Sequence, residues 1–298
     1  MKMPVSAESR SRLGLAIFFV LVLASSVFLL VNATFLESIA GSHVISAYMW
    51  CVAAASIAAR LIMRESPRDV SFRWNGWATT KAMLIASAFP LIVGIASYGI
   101  AWRAGLASFS AASLPHEIYG ISISGSAAGR FCKYLLVSLT IGSLGSCKSA
   151  AGEELGWRGY MLTRLVKSGL PMPILFSGLT WALWHIPLIV AGIYHDVPYS
   201  IPSIAIFLID ITAMGYIFAW LRISSGSIWP CIWAHGMWNA LILGPFSEST
   251  HGEEPWVGEA GLVTTFVVVA ISVALYRVFP LQMAYDALDK NSSVLEVA

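Results

Sequence analysis

Hydrophobic residues are gathered in eight long runs separated by shorter polar segments. The runs cover residues 13–36, 43–63, 80–102, 131–153, 173–194, 201–221, 228–246 and 260–280. Each is close to the roughly 20 residues that a helix needs to cross about 30 Å of hydrocarbon. Backbone groups in lipid must be hydrogen-bonded within the protein, so these runs predict an all-α, polytopic transmembrane helix bundle of about eight spans.

Composition supports an integral, multi-pass membrane protein in contact with lipid. Of the 298 residues, 57% are apolar and only 11% are charged, whereas about a quarter of a soluble domain is charged. The net charge of +2 is too small to indicate a nucleic-acid partner. The first run is longer than the roughly 7–15 apolar residues of a signal peptide, so we interpret it as a retained span.

Lysine and arginine are unevenly divided between the two ends of the predicted spans. The end that carries the N-terminus has 14 of them and the opposite end has 3 (Arg103, Arg130 and Lys133). Positive residues favour the cytoplasmic side. The N- and C-termini are therefore both predicted to be cytoplasmic, with an acidic outer loop before the last span.

The fourth run becomes rich in glycine, serine and alanine from Gly142 to Gly152. Small residues let membrane helices pack closely. We therefore predict a helix that is buried among other helices and continues past Glu153 to about Val166. Lys148 within this stretch needs a partner or must extend toward the membrane surface.

Two adjacent carboxylates and an arginine follow directly, as Glu153, Glu154 and Arg158. Charges inside a membrane protein usually face the protein interior or a water-filled cavity and mark function. On a helix, Glu154 and Arg158 share a face, which makes them the expected ion pair and leaves Glu153 to point elsewhere. A charged loop at the membrane edge is the simpler alternative for this stretch alone.

Two histidines lie deep within later spans. His185 follows Trp181 by one helical turn, and Asn239 follows His235 by one turn. Taken alone, each histidine is more often a hydrogen-bonded core residue, and the His235–Asn239 pair is explained by hydrogen bonds between helices. Asn239 has three possible roles: orienting His235, binding a metal weakly, or donating to an oxyanion.

Together, these residues predict hydrolysis of an acyl bond, most simply a peptide bond. Glu153, His185, His235 and Asn239 are candidate ligands of a catalytic Zn²⁺ with a water at its open position. Without metal, Glu153 would deprotonate water while the other three stabilise the oxyanion. Either scheme requires the fourth span to lie deeper than its hydropathy indicates, and we expect a water-filled cavity opening toward the cytoplasmic half.

Asp210, midway along the sixth run, is a further intramembrane acid. Metal-bound imidazoles commonly donate to a carboxylate. We therefore expect Asp210 to support a site histidine or Lys148.

These motifs resemble those of the CPBP intramembrane proteases, the family of the CAAX prenyl endopeptidases and of Abi-like, bacteriocin-related members. The family pattern is Glu-Glu-x-x-x-Arg, then Phe-x-x-x-His, then His-x-x-x-Asn, and the resemblance covers about residues 130–245. It implies Glu153 as general base, with His185, His235 and Asn239 as ligands or transition-state stabilisers. Trp181 stands where the family often has phenylalanine, and we expect it to fill the same space.

The resemblance also implies an organisation in three segments. Residues 1–129 would form the first three spans, residues 130–246 the catalytic core, and residues 247–298 the last span with a cytoplasmic tail. The expected substrate is a hydrophobic or lipidated protein or peptide at a cell membrane, taken to be the plasma membrane of a prokaryote.

Two other functions remain open at this stage. One is a non-catalytic membrane protein of the same fold that acts in bacteriocin immunity or binds a partner. The other is a transporter with a proton relay, although the sequence shows no repeat of two halves to support it.

Overall fold

The structure, a computed structural model, describes residues 6–40, 43–194, 196–252 and 254–278. Its helices are α1 (Ala7–Val31), α2 (Ala33–Ala40), α3 (His43–Met63), α4 (Trp77–Ala104), α5 (Ala127–Val137), α6 (Ser143–Gly156), α7 (Leu162–Lys167), α8 (Pro173–Val190), α9 (Ile201–Ser225), α10 (Trp229–Leu241) and α11 (Leu262–Val278). Strands of two residues, β1 (Ser108–Phe109), β2 (Glu117–Ile118), β3 (Ile121–Ser122) and β4 (Thr250–His251), lie in two loops. β1 pairs antiparallel with β4, and β2 with β3.

The prediction of an all-α polytopic bundle is confirmed. Five helices (α1, α3, α4, α8 and α9) are long and apolar enough to cross a membrane, and α11 is a shorter apolar helix. Large apolar side chains such as Val20, Leu61 and Phe266 point outward from them. Such a surface is unusual for a soluble monomer and is typical of contact with lipid.

The other two predicted spans are composite helices. The fourth continues through α5, a π-helical turn at Ser138–Gly142, α6, a second π-helical turn at Trp157–Met161, and α7. The seventh is α10 followed by a π-helical turn at Ile242–Phe246. Single π turns occur inside α-helices and are frequent at functional sites.

The fourth span extends well beyond its hydropathy boundary. Its helix ends at Lys167, close to the predicted end and 14 residues after Glu153, which is about 21 Å along the axis. Hydropathy placed the boundary at residue 153 because charged residues follow, but Glu153, Glu154 and Arg158 are all buried. Glu153 therefore lies within the helix and not at its end, and the depth of the fourth span in the membrane stays a prediction.

Glycines bring the helix of Glu153 into close contact with its neighbours, as the small residues predicted. A methyl carbon on Gly152 would lie 2.9 Å from the Met49 carbonyl oxygen of α3, and one on Gly156 would lie 2.7 Å from that of Val52. On the other side of α6, Gly236 of α10 approaches Cys147 equally closely. The backbone of α6 is thus held between α3 and α10.

The loop between α3 and α4 is fixed by ion pairs at the arginine-rich end of the bundle. Asp69 in this loop pairs with both Arg60 and Arg164, and Arg222 donates to the Asp69 carbonyl oxygen over 2.7 Å. Arg60 also donates to the Gly159 carbonyl oxygen over 2.9 Å. This loop therefore anchors the π turn that follows Glu153.

Some predictions stay open. The cytoplasmic placement of the termini and the segment boundaries at residues 130 and 246 stay predictions. The predicted tail after residue 278 lies outside the described residues.

We expect Gly156→Ala to destabilise the protein. The added methyl group meets the Val52 backbone, and overpacking of this kind costs roughly 1–3 kcal/mol. Thermal unfolding in detergent measures the effect. Gly145→Ala is the matched control because a methyl group there meets only the Tyr119 hydroxyl at 3.7 Å, so equal stability of the two variants would contradict the packing described.

Candidate active site

The Glu153 carboxylate lies between two imidazoles. Its Oε1 is 3.8 Å from Nε2 of His235, and its Oε2 is 4.0 Å from Nε2 of His185. The exposed fractions of these residues are 3%, 5% and 4% respectively. Three helices, α6, α8 and α10, each contribute one of these side chains, so the structure brings together the residues predicted from separate motifs.

Both imidazoles are oriented through Nδ1. His185 Nδ1 is 2.9 Å from the Trp181 carbonyl oxygen, one turn earlier on α8. His235 Nδ1 is 2.9 Å from Oε1 of Glu154. Since a carbonyl oxygen and a carboxylate only accept hydrogen bonds, Nδ1 carries the proton in each ring, and each Nε2 is directed toward Glu153.

Glu154 and Arg158 form the predicted ion pair. Arg158 Nη1 lies 2.8 Å from Glu154 Oε1, and both side chains are completely buried. The same oxygen accepts a hydrogen bond from Nδ1 of His235. Glu154 thus connects the arginine to one of the two histidines, and it leaves Glu153 to face the centre of the site, as the helical spacing indicated.

The rest of the Arg158 guanidinium is covered by aromatic rings. Its central carbon is 4.2 Å from the ring centroid of Trp181 and 5.1 Å from that of Phe218. Cation–π contacts of this kind are strongest when the cation is shielded from water. Nε and Nη2 of Arg158 have no hydrogen-bond partner among the described residues, so the two rings add to the ion pair with Glu154 in stabilising the buried guanidinium.

Trp181 has a role that the sequence analysis did not find. We expected this aromatic ring to fill the space of a phenylalanine, but its indole Nε1 donates to Glu153 Oε2 over 2.7 Å. Phenylalanine has no such donor. The signal was present in the residue type, because a buried tryptophan usually finds a partner for its N–H group.

Asn239 lies one turn after His235 on α10 and is partly exposed. It makes no hydrogen bond to any residue that the structure describes, and Glu154 orients His235 in its place. Of the three roles considered for Asn239, orienting His235 is therefore wrong for this conformation, and its amide remains available for another group.

One further expectation is not met. Asp210 is fully buried, and neither of its oxygens has a hydrogen-bond partner among the described residues, so it does not support a site histidine through a hydrogen bond. Lys148 is exposed on α6 and has no ion pair within the described part of the chain, which agrees with the second of the two alternatives predicted for it, extension away from the protein interior. The three central side chains have small exposed fractions, and the water-filled cavity opening toward the cytoplasmic half stays a prediction.

The residues at the site are of the types that bind zinc, but the distances between them are longer than those between zinc ligands. Nδ1 hydrogen bonds to a carboxylate and a carbonyl are the usual support of metal-binding imidazoles. Adjacent ligands on tetrahedral zinc, with bonds of about 2.0–2.1 Å, are roughly 3.3 Å apart, less than the 3.8 and 4.0 Å measured. Accordingly, no three His, Cys, Asp or Glu side chains among the described residues are close enough together to hold an ion unaided.

The fold and this site define a polytopic helical membrane protein with a buried glutamate–histidine centre. Comparison with known proteins agrees: the family model for type II CAAX prenyl endopeptidase Rce1-like proteins matches residues 130–241. CAAX prenyl protease 2 of Methanococcus maripaludis is 39% identical over 80 residues, which are 24% of this chain and 28% of that protein. These matches confirm the resemblance to the CPBP-family proteases, and the chain matches little more than a quarter of the relative's length.

We expect Arg158→Met to destabilise the fold strongly. Removing one member of a buried ion pair leaves an uncompensated charge, here on Glu154, at a cost of roughly 3–5 kcal/mol. Unfolding in detergent monitored by circular dichroism measures the loss. Lys148→Met is the control, because it removes from the same helix a cation that has no ion pair. Similar stabilities for the two variants would show that the Glu154–Arg158 pair contributes little.

Proposed function

We propose that the protein is an intramembrane endopeptidase in which Glu153 activates a water molecule for attack on a peptide bond. The observation that carries this proposal is the position of the Glu153 carboxylate, 3.8 and 4.0 Å from two imidazole nitrogens. These separations are too long for direct hydrogen bonds. Polar groups separated by more than 3.5 Å can be linked by a water molecule, and the proposal places the reacting water between Glu153 and the two imidazoles.

The reaction follows from the groups around that position. Glu153 takes a proton from water, and the resulting hydroxide attacks the carbonyl carbon of the scissile bond. As the tetrahedral intermediate collapses, Glu153 returns the proton to the leaving nitrogen, so that one water is added across the C–N bond. Trp181 holds one carboxylate oxygen, which leaves the other directed toward the reacting water.

The oxyanion is stabilised by His185, His235 and Asn239. Each imidazole already uses Nδ1 for a hydrogen bond within the protein. A proton on Nε2 would make the ring a donor to the oxyanion, whereas a lone pair on Nε2 would make it a metal ligand. The metal-free and metal-dependent schemes therefore use the same atoms and differ in what Nε2 carries.

In the metal-dependent scheme, Zn²⁺ would be held by Glu153, His185 and His235, with Asn239 as a further ligand. Zinc supplies a bound water whose pKa is lowered toward 7. The measured spacing requires these side chains to move closer together around the ion. The spacing alone favours neither scheme strongly, which makes the metal content the property to measure.

The substrate is proposed to be a hydrophobic or lipidated protein or peptide that reaches the site from the membrane. The site is buried in a bundle whose outer surface is apolar, and the family model and the relative from Methanococcus maripaludis are both described as CAAX prenyl proteases. The proposed location is the cell membrane of a prokaryote.

Glu153→Gln is expected to abolish peptide cleavage while leaving the fold intact. The amide preserves the shape and still accepts from Trp181, but it cannot take a proton from water. Cleavage of hydrophobic and C-terminally lipidated peptides in proteoliposomes, with unfolding temperature as a control, tests this. Glu117→Gln changes an exposed carboxylate in an outer loop and should keep wild-type turnover.

The outcome also separates this function from a non-catalytic one. Full turnover by Glu153→Gln would overturn the assigned role of Glu153. A folded wild-type protein that cleaves none of these peptides, with an immunity phenotype unaffected by Glu153→Gln, would instead indicate a partner-binding protein of the same fold.

Elemental analysis of the purified protein tests the metal-dependent scheme without a substrate. That scheme predicts about one zinc per chain in the wild type, lost in the His185→Ala/His235→Ala double variant. His116→Ala/His251→Ala, which changes two loop histidines, should retain the metal. A folded wild-type protein prepared without chelator that contains no zinc would favour the scheme in which Glu153 acts alone on water.

A further inference from the structure

A further buried carboxylate, Glu259, contacts residues that lie next to the two site histidines. Glu259, in the loop before α11, has an exposed fraction of only 2%. Its Oε1 accepts a hydrogen bond from Nε1 of Trp238 over 2.6 Å, and its Oε2 accepts one from the hydroxyl group of Tyr194. Each carboxylate oxygen of Glu259 therefore accepts one hydrogen bond from a neighbouring side chain.

These two neighbours lie next to the two site histidines. The ring of Tyr194 is edge-on to the ring of His185, with centroids 5.5 Å apart. Trp238 is three residues after His235 on α10 and is fully buried. Glu259 thus joins the segment that packs on one histidine to the helix that carries the other.

The hydrogen bonds hold the carboxylate in an unfavourable environment. Burial raises the pKa of Glu259 to about 7, and the bonds from Tyr194 and Trp238 oppose that rise. Among the charged groups nearby, Asp196 raises the pKa of Glu259 further as a like charge, whereas His235 lowers it. A carboxylate retained in such surroundings is more than a packing element, since an apolar residue would be easier to bury there.

We propose that Glu259 is a positioning residue of the active site, which fixes the Tyr194 ring against His185 and the register of the His235 helix. This inference rests on the proposed peptidase function. It adds a residue that lies outside the three sequence motifs and in a different segment of the chain. Glu259 does not touch the reacting atoms and acts through Tyr194 and Trp238.

A double-mutant cycle tests the coupling. Glu259→Leu removes both acceptors at similar size, and Tyr194→Phe removes the hydroxyl group while keeping the ring beside His185. We expect each single variant to lower kcat, Glu259→Leu by on the order of ten-fold, with KM for the peptide unchanged. The double variant should be no slower than Glu259→Leu alone, because the two changes break the same link.

Glu254→Gln is the matched control. Glu254 lines the same cavity as Glu259 but is exposed, and its variant should keep wild-type kcat. All variants are compared at equal amounts of folded protein, judged by unfolding temperature.

Three results would decide the matter. The proposal is supported if each single variant lowers kcat and the double variant is no slower than Glu259→Leu alone. Wild-type kcat in folded Glu259→Leu, or a double variant slowed by the product of the two single effects, overturns it. Absence of cleavage by the wild-type protein is a failure of the proposed peptidase function instead, and it is recognised before any variant is compared.

Discussion

The ion pair between Glu154 and Arg158 is the interaction on which the site depends. Both side chains are fully buried, and unpaired charges there would be very costly. The pair is completed by the His235 imidazole on one side and by the Trp181 and Phe218 rings on the other. It fixes the position of α6 relative to α8, α9 and α10, and only with these helices in place does Glu153 face two histidines.

Close backbone packing makes this arrangement possible. Glycines at 152, 156 and 236 let α6 lie directly against α3 and α10, so that its carboxylates are inside the bundle instead of at its edge. The π turn after Gly156 and the ion pairs of Asp69 then hold the next part of the helix at the arginine-rich end. The charged side chains of this region are tolerated in an apolar protein because most of them have an ion-pair or hydrogen-bond partner.

The two adjacent carboxylates have different surroundings and hence different tasks. Glu154 is held by an arginine and a histidine and is a structural anion. Glu153 receives one indole N–H group and otherwise faces two Nε2 atoms. This asymmetry is what a general base requires: one oxygen fixed, the other free to act. Glu259 forms a comparable anchor, because its two hydrogen bonds link Tyr194 beside His185 to Trp238 on the helix of His235.

The sequence by itself determined the helical membrane fold and most span positions, because the length of an apolar run is a local property. It also determined the Glu154–Arg158 pair, because residues four apart share a helix face, and its motifs named the residues that meet at the site. Only the tertiary structure decided that the fourth span continues to Lys167, since burial of its charged residues is invisible to hydropathy. It also decided that Trp181 donates to Glu153, that Glu154 orients His235 in place of Asn239, and that Asp210 supports neither histidine through a hydrogen bond. Those are contacts between residues far apart in the chain, and their distances depend on how the helices pack.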